Sequence, residues 1–161
     1  MDFKVTMHYQ NQYGDHEYNL GHMSAPQVLF FFQHIDWHKE KTTFEEAALT
    51  IFPMIMIEDI AVGQVFQTRL NADANDLSFY STCQIIESRQ RFFGKFTQKR
   101  RHCFTAHAFA LDNVALALSL FLAGDQQQLY KLYGILGQAT APLHKQLDER
   151  NLESHLLQPC V

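Results

Sequence analysis

The chain has 161 residues, 47% of them hydrophobic, with 14 Phe, only 7 Gly and a formal charge of −4. This length and composition fit one aromatic-rich globular domain, with no second independent unit, and the net acidity gives no support to nucleic acid as a partner. Three cysteines (Cys83, Cys103, Cys160) without repeated spacing, and an amino terminus without an apolar signal core, point to the cytoplasm.

Asp2 to Gln10 alternates, with Phe3, Val5, Met7 and Tyr9 on one side and Lys4, Thr6, His8 and Gln10 on the other, the pattern of a half-buried strand. Asn11 to Leu20, with Gly14, acids and asparagines, reads as a polar loop. Gly21 and His22 follow, and then Ser24 with Gln27 three places on forms a capping box, with Pro26 in the first turn, where its missing N–H costs nothing.

A helix from Ala25 to about Trp37 follows. Val28, Phe31, Phe32 and Ile35 form one stripe, yet Leu29, Phe30 and Trp37 fill other angles of the wheel. Apolar almost all round and too short to span a bilayer, it reads as a core helix wrapped on every side.

Thr43 and Glu46 make a second capping box, predicting a short helix through Leu49. Strands are predicted over Phe52–Ile60, Gln64–Ala72 and Leu77–Ser88, with turns at Gly63 and Asn75-Asp76, and then over Phe92–Gln98 and Arg101–Leu111. Helices follow over Val114–Leu122, Gln126–Tyr133 and Pro142–Leu157. The apolar run from Cys103 to Ala123 is broken by His107 and Asp112-Asn113, and each charge at membrane depth costs about 2.5 to 3.5 kcal/mol, so no membrane span is expected.

The order is strand, apolar helix, then successive antiparallel strands, which lays the helix on one face of a curled α+β sheet. Because a sheet covers one side of a helix, its remaining aromatics need a second cover. A second copy of the chain or the C-terminal helices would supply it, and of the two a homodimer is the expectation.

The segment GHMSAPQVLFFFQHIDWHKEK, with this order of elements, resembles the hotdog-fold superfamily of thioesterases and dehydratases over residues 3 to 112. The resemblance implies an antiparallel sheet wrapped around a long central helix in residues 1–112, with a C-terminal helical extension over 113–161. It also implies a substrate carried as a thioester, on coenzyme A or an acyl carrier protein, in polyketide or fatty-acid metabolism. The stretch from Ser24 to Trp37 is also similar to the Ser-(x)12-Trp segment of the acyltransferase/decarboxylase family typified by the leinamycin biosynthetic enzyme. That family carries two hotdog units per chain, where this chain has room for one.

The start of the helix offers backbone N–H groups at Met23, Ser24 and Ala25 to a developing oxyanion; Ser24 as a plain cap is the simpler reading. Asn19 and His22 flank Gly21 where the resemblance places a polar residue that positions water or carbonyl; both could equally satisfy local backbone groups. Tyr18 stands where such thioesterases carry an acid, which argues against simple hydrolysis. Phe30, His34 and His38 form a second stripe, with His34 as a candidate catalyst or a hydrogen-bonded core histidine, and Gln27, Phe30 and Phe31 beside an acyl chain. No third ligand accompanies His34 and His38, so no metal is expected, nor any other cofactor.

Six of the 13 basic residues lie between Arg89 and Arg101, a span without an acid. This is a solvated hairpin or a dock, through Arg91, Lys95 and Arg100, for a coenzyme A phosphate or an acidic carrier. Cys103 beside His102 is no nucleophile pair, since neighbours in a strand point to opposite faces. A catalytically silent module that binds a carrier protein is the reading from another class, its support being the lack of a recognisable general base.

Overall fold

The computed structural model describes residues 2–11, 14–46, 53–71, 77–91 and 96–136. These residues form an α+β structure whose single antiparallel sheet contains β1 (Asp2–Asn11), β2 (Gly14–Ser24), β3 (Met54–Asp59), β4 (Gln64–Leu70), β5 (Ser78–Arg91) and β6 (Phe96–Ala110) in the order β2-β1-β3-β4-β5-β6. Four helices accompany it: α1 (Ala25–Gln33), α2 (Trp37–Glu46), α3 (Leu111–Leu122) and α4 (Gln126–Leu136). The helix expected at Pro142–Leu157 lies outside the described residues. Among those described, no helix is long and apolar enough to cross a membrane.

The alternation of β1 does what its period demands. Phe3, Val5 and Met7 enter the core, where they join Ile55 and Ile57 of β3, Phe66 and Leu70 of β4, and Phe79, Cys83 and Ile85 of β5. Pro53 stands just before β3, where it removes no ladder bond. At the β3–β4 turn Gly63 takes φ +70°, and its N–H donates to the Asp59 carbonyl at 2.8 Å.

Three expectations are corrected in the first half of the chain. The polar loop at Asn11–Leu20 is largely β2, paired with β1 from Asp2↔Ser24 to Asn11↔Gly14. As a lateral strand exposed from His16 to Leu20 it has no buried face, so it carries no alternation to read. Its pairing slips by one residue between Val5↔Gly21 and Thr6↔Asn19, a bulge in which Leu20 is the extra residue and Gly21 takes φ +90°.

The helix after Ser24 is also shorter than the apolar run. It ends at Gln33 after nine residues, and Asp36 starts a new one: its Oδ1 accepts from the Lys39 N–H at 3.0 Å. Thr43 and Glu46 accordingly fall inside α2 rather than opening a helix of their own.

The remaining corrections concern packing. Phe92–Gln98 and Arg101–Leu111, expected as two segments, contribute to one 15-residue strand, β6. Gly134 does not close α4, which continues to Leu136. The helix most deeply set against the sheet is α3 rather than α1. It buries Val114, Ala117, Leu118, Phe121 and Leu122, and Phe121 meets Phe3 and Phe66 at centroid distances of 6.1 and 5.8 Å. α4 is anchored by Tyr133, wholly buried, whose hydroxyl lies 2.8 Å from Ser81 Oγ on β5.

Candidate functional site

Where β2 passes into α1, seven residues line an open cavity of about 470 Å3: Met23, Pro26, Gln27, Phe30, Phe31, His34 and Ile35. Its size is that of a small-molecule site, and its walls are mostly apolar with two polar side chains, the usual balance in such pockets. Helical spacing explains the set. Pro26, Phe30 and His34 repeat every fourth position, Gln27 and Phe31 lie beside them, and Met23 is delivered from the last rungs of β2.

The polar groups have defined roles. Gln27 Oε1 accepts from the Ser24 backbone N–H at 2.8 Å and from the Ser24 hydroxyl at 2.7 Å. The first bond fixes that atom as the oxygen, which leaves the carboxamide NH2 as the donor end of the side chain. His34 Nδ1 lies 2.8 Å from the Phe30 carbonyl, and since a carbonyl only accepts, Nδ1 carries the proton. In the neutral ring Nε2 is then the acceptor. The imidazole stacks on the Phe30 ring at 3.9 Å with 27° between planes. Phe30 itself is 63% exposed, unusual for a large apolar side chain.

Of the residues singled out in the sequence, Met23, Gln27, Phe30, Phe31 and His34 meet at this cavity, and Pro26 and Ile35 join them. Both of these were legible as neighbours on the helical wheel. Ser24 and Ala25 stand at the helix start, but Gln27 occupies the Ser24 amide and Pro26 carries no N–H, so two of the first amide positions cannot serve a ligand.

Asn19 and His22 are separated from the cavity. Met23 pairs with core-facing Phe3, whereas His22 pairs with Lys4 and Asn19 with Thr6, on the alternate face of the sheet. Asn19 Oδ1 accepts from the Gly21 N–H at 2.9 Å and so closes the bulge locally. Arg91 on β5 and Arg100 on β6 lie three and four strand spacings beyond β1, and Lys95 lies outside the described residues. His34 and His38 do not share a helix face, because α1 ends at Gln33 and His38 belongs to α2; among the described residues no three His, Cys, Asp or Glu side chains are grouped to hold a metal ion.

The two cysteines among the described residues offer no nucleophile. Burial pushes the Cys83 thiol far above its ordinary value, and Cys103 is disulfide-bonded. No family model, curated protein or solved structure matches the chain.

Proposed function

We propose that the cavity at the β2–α1 junction holds the acyl part of an acyl thioester, and that the chain is an enzyme of hotdog type acting on it. The observation that supports this reading is the meeting of Met23, Phe30 and Phe31 with His34 and Gln27 around one apolar space of about 470 Å3. In this reading the acyl chain lies along the two phenylalanines. The Gln27 NH2 donates to the thioester carbonyl, and His34 Nε2, the acceptor nitrogen of the ring, takes a proton from the attacking water in hydrolysis or from the carbon next to the carbonyl in dehydration. Exposed Phe30, at the mouth of the cavity, is where a second copy would complete the site's outer wall.

The test is to incubate the protein with acetyl, malonyl and hydroxyacyl forms of a carrier protein and of coenzyme A and to follow intact masses. Gain of water, loss of water and loss of carbon dioxide separate hydrolysis, dehydration and decarboxylation. His34→Ala should slow the step by a factor of about 10² or more. No conversion of any substrate at high protein concentration would exclude catalysis.

One observation favours a second reading, a catalytically silent acyl-binding module. The helix start satisfies its own Ser24 amide through Gln27, which removes a donor that oxyanion stabilisation would need. Saturable binding of an acyl carrier without turnover, abolished by Phe31→Ala and unchanged by His34→Ala, would select it.

A further inference from the structure

The cavity at the β2–α1 junction is divided between an exposed rim and a half-buried floor. Gln27, Phe30 and His34 stand at the rim, all three exposed, and the floor is made by Met23 from β2 with Phe31 and Ile35, each half-buried. Both polar side chains are on the rim. The side chains below them are thioether, phenyl and branched alkyl, and no lining residue is Lys, Arg, Asp or Glu.

That division orders a bound acyl group. Its carbonyl stays at the rim beside Gln27 and His34, and the chain attached to it turns inward. A carboxylate at the far end of the chain would leave water for a wall without a cation or a side-chain donor, a burial that apolar contact does not offset. A terminal methyl group meets Met23 and Ile35 instead, and the flexible methionine adapts to it. Size sets the second limit. A water molecule takes ~30 Å3 of its liquid and a methylene group about as much, so the cavity of about 470 Å3 holds roughly 15 non-hydrogen atoms. The thioester carbon, oxygen and sulfur are part of that number, which leaves room for a chain of about ten carbons.

We infer, resting on the acyl reading proposed above, that this cavity selects an uncharged hydrocarbon acyl chain of medium length, and that Met23, Phe31 and Ile35 set the choice. The same floor rejects dicarboxylic acyl groups of that length.

The test is calorimetric titration of the full chain with acyl pantetheine amides, in which nitrogen replaces the thioester sulfur so that binding is read without turnover. From ethanoyl to decanoyl the affinity should rise about two- to fourfold with each methylene, and it should level off before hexadecanoyl. Octanedioyl, which is octanoyl with a carboxylate in place of its terminal methyl, should bind on the order of 10²-fold more weakly than octanoyl. Ile35→Lys should reverse that order, and the milder Ile35→Ala should weaken octanoyl about tenfold while leaving ethanoyl unchanged. Affinity still rising at hexadecanoyl, a best ligand as short as butanoyl, or equal binding of octanoyl and octanedioyl overturns the inference and leaves the acyl reading standing. So does an Ile35→Lys variant of unchanged circular dichroism that keeps the original order. No binding at any chain length overturns both.

Discussion

α1 and α3 are almost equally apolar, yet the structure uses them differently. α3 buries five side chains against the middle of the sheet, whereas α1 buries Val28 and Phe32 and leaves Phe30 63% exposed beside a cavity. Apolar content alone thus does not say which helix supports the fold and which meets a ligand. The deciding term is where each helix lands. Both follow an edge strand with no loop between, β2 for α1 and β6 for α3, but α3 runs over the middle of the sheet onto Phe3 and Phe66, while α1 ends after nine residues and buries only Val28 and Phe32.

The comparison is sharpest at the two phenylalanines. Phe121→Ala removes a ring from the centre of the core and should cost about 3–5 kcal/mol, read as a lower urea midpoint. An unchanged midpoint would mean that α3 is not the supporting helix.

Next in size is the Tyr133 anchor beneath α4. Burial raises its phenol well above the ordinary value, nearby Cys83 adds to this, and the Ser81 hydrogen bond opposes it; Cys83 is itself raised by burial. Groups raised on folding favour the folded state fully below their unfolded values, and that contribution is lost as pH rises above them. Stability should therefore hold to about pH 8.5 and fall steadily towards pH 10.5. Tyr133→Phe should cost about 1 kcal/mol at pH 7, by leaving Ser81 Oγ only its longer bond to the Gln67 carbonyl at 3.4 Å, and should flatten the alkaline part of the curve.

Gln27→Ala breaks the bond to the Ser24 amide and should cost about 1 kcal/mol in thermal unfolding, while also removing the polar wall of the cavity. The smallest effect on stability belongs to Phe30→Ala, within about 0.5 kcal/mol because the ring is largely exposed. The same substitution should abolish binding of a fluorescent acyl probe, and this is the contrast with Phe121 that the two helices predict.

Several of these features were legible in the sequence. The period of two at Phe3, Val5 and Met7 gave β1, and Ser24, Pro26 and Gln27 gave the start of α1 and most of the cavity. The end of α1 was not, since Ile35 and Trp37 carry the apolar pattern past Gln33-His34 and conceal a break that Asp36 enforces by capping the next helix. β2 was hidden because a strand exposed on both faces has no burial pattern. The separation of His22 from Met23 became visible only once the segment was a strand, because adjacent residues then point to opposite faces. The reach of the β5–β6 hairpin past β4 required the register of β5 on β6 and the early end of β4, neither of which composition encodes.

The bulge at Leu20 and Gly21 bears on solubility as well. A lateral strand of 11 residues would otherwise present a straight ladder of amide and carbonyl groups, the template on which sheets of neighbouring molecules stack side by side without limit. The extra residue puts a step in that ladder, so an incoming strand loses register partway along, and runaway fibre growth from this side of the molecule is blocked by one residue's worth of misfit.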